Sequence, residues 1–167
     1  MSNNTRIKAL LVLDPQNDFF GDDNPNLSAF QATIPIINAA IAIFQEKHCP
    51  IIFIQHTSKR KPAGSENWKI HPQFNYHSDD ICLNKTHYSA FWQTNLETIL
   101  KEKHVNSVIV CGYMSEFCVL STLRAAMERG FDAAILEDSI ASLNDHHTQF
   151  TLEISPQIKF DLIQSSK

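Results

Sequence analysis

A chain of 167 residues, 43% hydrophobic and 19% charged, carries enough apolar material for one buried core, which excludes a disordered polymer and predicts a single domain over 1–167. A net charge of −4 gives no electrostatic reason for a nucleic-acid or anionic-membrane partner. No run approaches the roughly 18 apolar residues of a membrane span, and the polar start MSNNTRIK lacks a signal-peptide core, so a cytoplasmic protein is expected.

Ile7–Leu13 opens the chain with a continuous apolar run, the pattern of a strand buried on both faces. Ile34, Ile37, Ile41 and Phe44 then recur at helical spacing, and Ile51–Gln55 forms a second strand-like run. Thr57–Asp80 breaks the rhythm with Pro62, Gly64, Pro72 and several polar residues. Connections this long are often binding loops, and Trp68, Phe74 and Tyr76 there either line a pocket or hold the loop down. Ile81–Asn84 is a shorter strand, and Leu96, Ile99 and Leu100 repeat with helical spacing. Ser107–Cys111 is the next strand. Val119, Leu123, Ala126 and Met127 mark a helix that begins near Ser115 and Glu116 and ends at Gly130. Ala133–Leu136 and Ile158–Ile163 complete the strands, with a helix opening at His146 and His147 between them. Such alternation predicts an α/β fold of three layers, a mostly parallel sheet with helices on both faces.

In an open parallel sheet, ligands bind beyond the carboxyl ends of the strands. Three reactive side chains fall there: Asp14 after the first strand, Lys85 after the short one, and Cys118 after Ser107–Cys111 and a turn. With Ser115 as N-cap, Cys118 lies in the first helical turn, where free N–H groups and the helix dipole lower a thiol pKa. The alternative is a buried structural cysteine. Asp14 is either a used carboxylate or a turn former, and Lys85 either an ordinary rim residue or the partner of a thiolate. Asp18 reads as a solvated turn residue. Cys49, Cys82 and Cys111 read as packing residues, and four cysteines are too few for a disulfide scaffold. The histidines, His56, His71, His77 and His87 among them, show no tight ligand spacing, so no metal or other cofactor is expected.

LLVLDPQNDFF, NKTHYSAFWQTNLETIL and VIVCGYMSEFCVLSTLRAAMERGFDAAILEDSIAS together resemble the isochorismatase-like cysteine hydrolases, which include nicotinamidases and N-carbamoylsarcosine amidases. The resemblance runs from about Ile7 to Ser142 with order and spacing intact. It implies a six-stranded sheet of order 3-2-1-4-5-6 and a catalytic set of Asp14, Lys85 and Cys118. It also implies a cis peptide between Tyr113 and Met114, and an oxyanion hole from the N–H groups of Met114 and Cys118. The implied reaction is cleavage of a small amide or carbamoyl C–N bond through a thioester on Cys118, in a homo-oligomer. Phe19, Tyr88, Phe91 and Trp92 are candidate walls for the small-molecule substrate, each with core packing as the alternative.

Two departures stand out. Many members have Thr-Asp or Thr-Asn in the nucleophile turn, where this chain has Ser115-Glu116. The nicotinamidase Asp-x-His metal motif after the second strand is replaced by Gln55-His56-Thr57. GSENWKIHPQF resembles members of unassigned substrate. Two other roles fit the same scaffold: a redox-active thiol, with Cys111 the nearest resolving candidate in sequence, and a non-catalytic binding or assembly protein.

Overall fold

A computed structural model describes residues 7–165. Its strands are β1 (Ile7–Leu13), β2 (Ile51–His56), β3 (Ile81–Lys85), β4 (Val105–Tyr113), β5 (Asp132–Ala141) and β6 (Gln157–Ile158). All pair in parallel, in the order β3-β2-β1-β4-β5-β6. The helices are α1 (Leu27–Glu46), α2 (Leu96–Glu102), α3 (Leu120–Glu128), α4 (Asp145–Glu153) and α5 (Phe160–Ser165).

Alternation along the central strand builds two cores. Ala9, Leu11 and Leu13 face α2 and α3 and meet Leu96, Leu100, Val119 and Leu123. Leu10 and Val12 face the other way and meet Phe30, Ile37, Ile41 and Phe44 of α1. From Ala9 to Leu13 neither face of β1 reaches water, so a polar residue there would be costly, and all five residues are apolar. Each fully buried leucine contributes about 2 kcal/mol of hydrophobic stabilisation.

Several elements differ from expectation. α1 runs 20 residues and is apolar enough to cross a membrane by length and composition, against the reading that no segment comes near. Here its apolar face is buried against the sheet. The run Ile158–Ile163 is not one strand: β6 has two residues, and the chain then turns into α5. Phe160 and Ile163, three apart, share one helical face against the α1 side, while Leu162 points outward and is exposed. β4 and β5 are both longer than their apolar runs suggest.

The long 57–80 connection is tied to the turn after β1. Gln16 is the clasp: its Nε2 donates to the carbonyls of His56 (3.2 Å) and Trp68 (2.7 Å), and its Oε1 accepts from His56 N (2.9 Å). Asn17 N and His71 N add bonds to Lys69 O and Pro15 O. Phe74 is buried beneath the connection, and Trp68 Nε1 donates to Thr57 Oγ1 at 2.9 Å, so these aromatics hold it down. Trp68 and Tyr76 also border a cavity of about 360 Å³ with Gln55, Cys82 and Asn84.

Candidate active site

Asp14 follows the last residue of β1 with φ 51°, in the left-handed region that side chains seldom enter. Its N–H donates to Ile54 O (2.7 Å) and its C=O accepts from Gln16 N (2.8 Å), which hold the turn in place. Gly112 of β4 pairs with Leu13 of β1 at φ 109°, and a Cβ there would stand 2.0 Å from Leu13 O. Only glycine lets the strands approach so closely beside the aspartate. Lys85 ends β3 in register with His56, the last residue of β2. The Tyr113–Met114 peptide is cis. A wide π-type turn, Ser115–Val119, follows it and carries Cys118, with the N–H groups of Phe117 and Val119 both donating to Met114 O at 3.2 Å.

These segments converge on one ammonium. Lys85 Nζ lies 3.1 Å from Asp14 Oδ2, 3.0 Å from Cys118 Sγ, 3.0 Å from His56 Nδ1 and 3.2 Å from His87 O. The Lys85 and Asp14 side chains are 0% and 2% exposed. Burial works against the Lys85 charge, but the Asp14 carboxylate and Cys118 outweigh it and hold its pKa above the ordinary lysine value. Burial pushes the Cys118 thiol up to about 12, and Asp14 adds to that against the opposing pull of Lys85. The expected helix-terminal lowering is therefore overturned. The regular helix starts only at Leu120, and desolvation dominates in the turn before it. Asp14 Oδ1 is buried without a hydrogen bond, an open acceptor beside the thiol.

Single ligand atoms of Asp14, His56 and Cys118 lie within 4.8 Å of one another, close enough for a metal ion. Lys85 Nζ, however, is in hydrogen-bond contact with all three side chains, so the donor set already encloses a cation.

A family model described as the isochorismatase domain matches residues 8–158. The chain belongs to the isochorismatase family. It is 30% identical to an uncharacterised isochorismatase family protein, YaaI, of Bacillus subtilis, over 92% of this chain and 91% of the relative. It is also 30% identical to nicotinamidase 3 of Arabidopsis thaliana, over 89% and 80%. A crystal structure of an isochorismatase family protein superposes with a TM-score of 0.82 at 30% identity, covering 90% of this chain and 93% of that one. N-carbamoylsarcosine amidase from Thermoplasma acidophilum shares the fold, with a TM-score of 0.77 at 20% identity over 88% and 91%.

Within this isochorismatase-family hydrolase the other expected residues divide. Phe19 is half-buried, stacked on Phe30, with Lys61 Nζ 5.0 Å from its ring centroid. Tyr88 and Trp92 are 55% and 54% exposed, Tyr88 stacking on Phe117 and Trp92 standing edge-on to His87. Phe91 does not join them: it is buried against Phe131 and under Arg129, a core residue. Ser115 is not the N-cap, a position Met114 takes, and its hydroxyl instead bonds Thr148 Oγ1 at 3.1 Å. Glu116 accepts at Oε1 from Ser142 Oγ (2.9 Å) and pairs with His147 Nδ1 (2.8 Å), which ties the Ser115–Val119 turn to α4. Cys82 is exposed rather than packed, its thiol donating to Gln55 Oε1 at 3.5 Å.

Two features escaped the sequence reading. His56 sits against Lys85, and the strand-end rule that found Asp14 and Lys85 would have found it if applied to β2. Asp18 is not a solvated turn residue. It pairs with Lys61 at 2.7 Å, and burial pushes its pKa up against the pull of that lysine. No periodic signal marks Lys61, because its position depends on the irregular fold of the connection.

Proposed function

We propose that the protein is a cysteine amidohydrolase acting on a small amide or carbamoyl compound, with Cys118 as nucleophile, Asp14 as general base and acid, and Lys85 as the fixed counter-charge. One observation carries this reading: a single buried ammonium bridges Asp14 Oδ2 and Cys118 Sγ at 3.1 and 3.0 Å. Because burial keeps the resting Cys118 protonated, the nucleophile is made only as its proton passes to Asp14, and Lys85 then stabilises the thiolate. Sulfur attacks the carbonyl carbon, and the N–H groups of Met114 and Cys118 receive the oxyanion. The C–N bond breaks as Asp14 returns the proton to the leaving nitrogen, releasing ammonia or an amine and leaving a thioester. Asp14 next takes a proton from water, hydroxide adds to the thioester, and collapse frees the acid while the proton returns to sulfur. Exposed Tyr88, Trp92 and Phe117 lie on the segments that carry Lys85 and Cys118, and we assign them to the substrate rim.

A redox role is less well supported, since a peroxide-reacting thiol needs a resting thiolate. The sequence candidate for a resolving partner, Cys111, is fully buried. The test is ammonia release from a panel of primary amides and N-carbamoyl compounds. Turnover of at least one, abolished in Cys118→Ala and Asp14→Asn, is expected. Turnover that survives Cys118→Ala would defeat the assignment.

A further inference from the structure

The catalytic ammonium is oversupplied with acceptors in an instructive way. Lys85 has three N–H donors and four acceptor groups around it: a carboxylate, a sulfur, a carbonyl and an imidazole. Only the first carries a formal charge in the resting state. An ammonium donates and never accepts, so His56 Nδ1 must be the bare nitrogen and its proton must sit on Nε2.

We infer that His56 is a positioning residue for Lys85: a neutral acceptor that takes the place of lost water around the buried ammonium while leaving its positive charge free to act on Cys118. The chemical logic is one of exclusion. Of the three acceptors that would remain beside a hydrocarbon here, the thiol sulfur is a weak one, so one buried N–H would be left without a strong partner. A second carboxylate would satisfy the N–H but cancel the charge that the thiolate needs, and would add its own repulsion of the thiolate. A neutral imidazole does neither. Burial, followed by the Lys85 charge, lowers the His56 pKa below the ordinary histidine value, which keeps the ring in the accepting form at neutral pH. Packing supports the same role. His56 and Lys85 are register neighbours on β2 and β3, and the His56 backbone is held at N and O by Gln16, so the ring is anchored to the turn that carries Asp14.

The inference rests on the proposed reading of Lys85 as the counter-charge to Cys118, and the test uses a readout that needs no substrate. The rate of iodoacetamide alkylation at Cys118, located by mass spectrometry, is compared in the wild type and in His56→Leu, His56→Asn and His56→Asp, each with and without Lys85→Met. Asparagine places a neutral oxygen near the position of Nδ1. His56→Leu should slow alkylation by roughly tenfold, the effect of leaving one buried donor without a strong acceptor, and His56→Asn should recover most of that loss. His56→Asp should be as slow as His56→Leu or slower, despite offering an acceptor. In the Lys85→Met background all three should have little further effect, because His56 acts through the lysine.

A purely structural role would make Asn no better than Leu and would keep the losses additive, and either result overturns the inference. So does a His56→Leu rate within about twofold of wild type. If the His56 pattern holds while no compound in the amide panel is turned over, the substrate reading falls and the positioning role stands. If Lys85→Met itself leaves alkylation unchanged, both fall.

Discussion

Two lysine–aspartate pairs stand a few residues apart on the same turn and are built differently. Lys61 and Asp18 meet at 2.7 Å with side chains 9% and 28% exposed, and among the described residues Asp18 is the only acidic partner of that ammonium. Lys85 and Asp14 meet at 3.1 Å, deeper, and the ammonium is divided among four acceptors. The outer pair is short and exclusive, as suits a contact that fastens the 57–80 connection. The inner pair is long and shared, as the proposed role of Lys85 requires, a charge that serves a second anion when Cys118 gives up its proton. Two ion pairs of one chemical type are thus told apart by which groups share the cation, since the acceptors of Lys85 include the Cys118 sulfur.

Substitutions at the two lysines should separate these roles. Lys85→Met should lower the turnover of any amide substrate by about a thousandfold or more. It should also cost about 3 kcal/mol or more of stability if Asp14 stays charged, as breaking a buried pair does. Lys61→Met should leave turnover within about fivefold and cost about 1 to 2 kcal/mol in urea unfolding, through the weakened loop. A thousandfold loss of activity from Lys61→Met would erase the distinction. Gly112→Ala approaches the contrast through the backbone. Its Cβ would press on Leu13 O beside Asp14, so a loss of about 3 kcal/mol is expected, with the outer pair untouched.

The smallest expected effect is on pH dependence. The His56 pKa is lowered first by burial, then by Lys85, with Lys61 contributing and Asp14 opposing. A histidine with a depressed folded pKa is neutral in the fold, so the unfolded state binds more protons as pH falls below about 6.5, and stability drops there. The thermal midpoint should fall from pH 7 to pH 5. The part due to His56 should shrink in Lys61→Met, which removes one of the two lysine charges acting on the ring. A larger fall in that variant would contradict the assigned sign.

Much of this was legible beforehand. Strand–helix alternation predicted the layered fold, and β1 and β2 began where their apolar runs begin, because fully buried parallel strands write their burial directly into composition. β6 and α5 were misread, because Ile158, Phe160 and Ile163 satisfy a strand and a helical turn almost equally over six residues. The strand-end rule singled out Asp14 and Lys85, which the fold brings to Cys118. It could not supply the Cys118 pKa, which depends on desolvation by side chains distant in sequence. Phe91 looked like a pocket wall because it neighbours Trp92, yet Phe91 turns inward and Trp92 outward, and composition alone does not record that direction.

The burial of Cys118 also bears on the ageing of the molecule. In an unfolded chain this thiol would titrate near 9, whereas the fold lifts it to about 12 and leaves it 6% exposed. Peroxides attack thiolates, so the native state shelters the Cys118 sulfur from them. Oxidation of Cys118 should then follow the small population that has opened, and a destabilised variant should lose this thiol to air sooner than its unaltered chemistry would suggest.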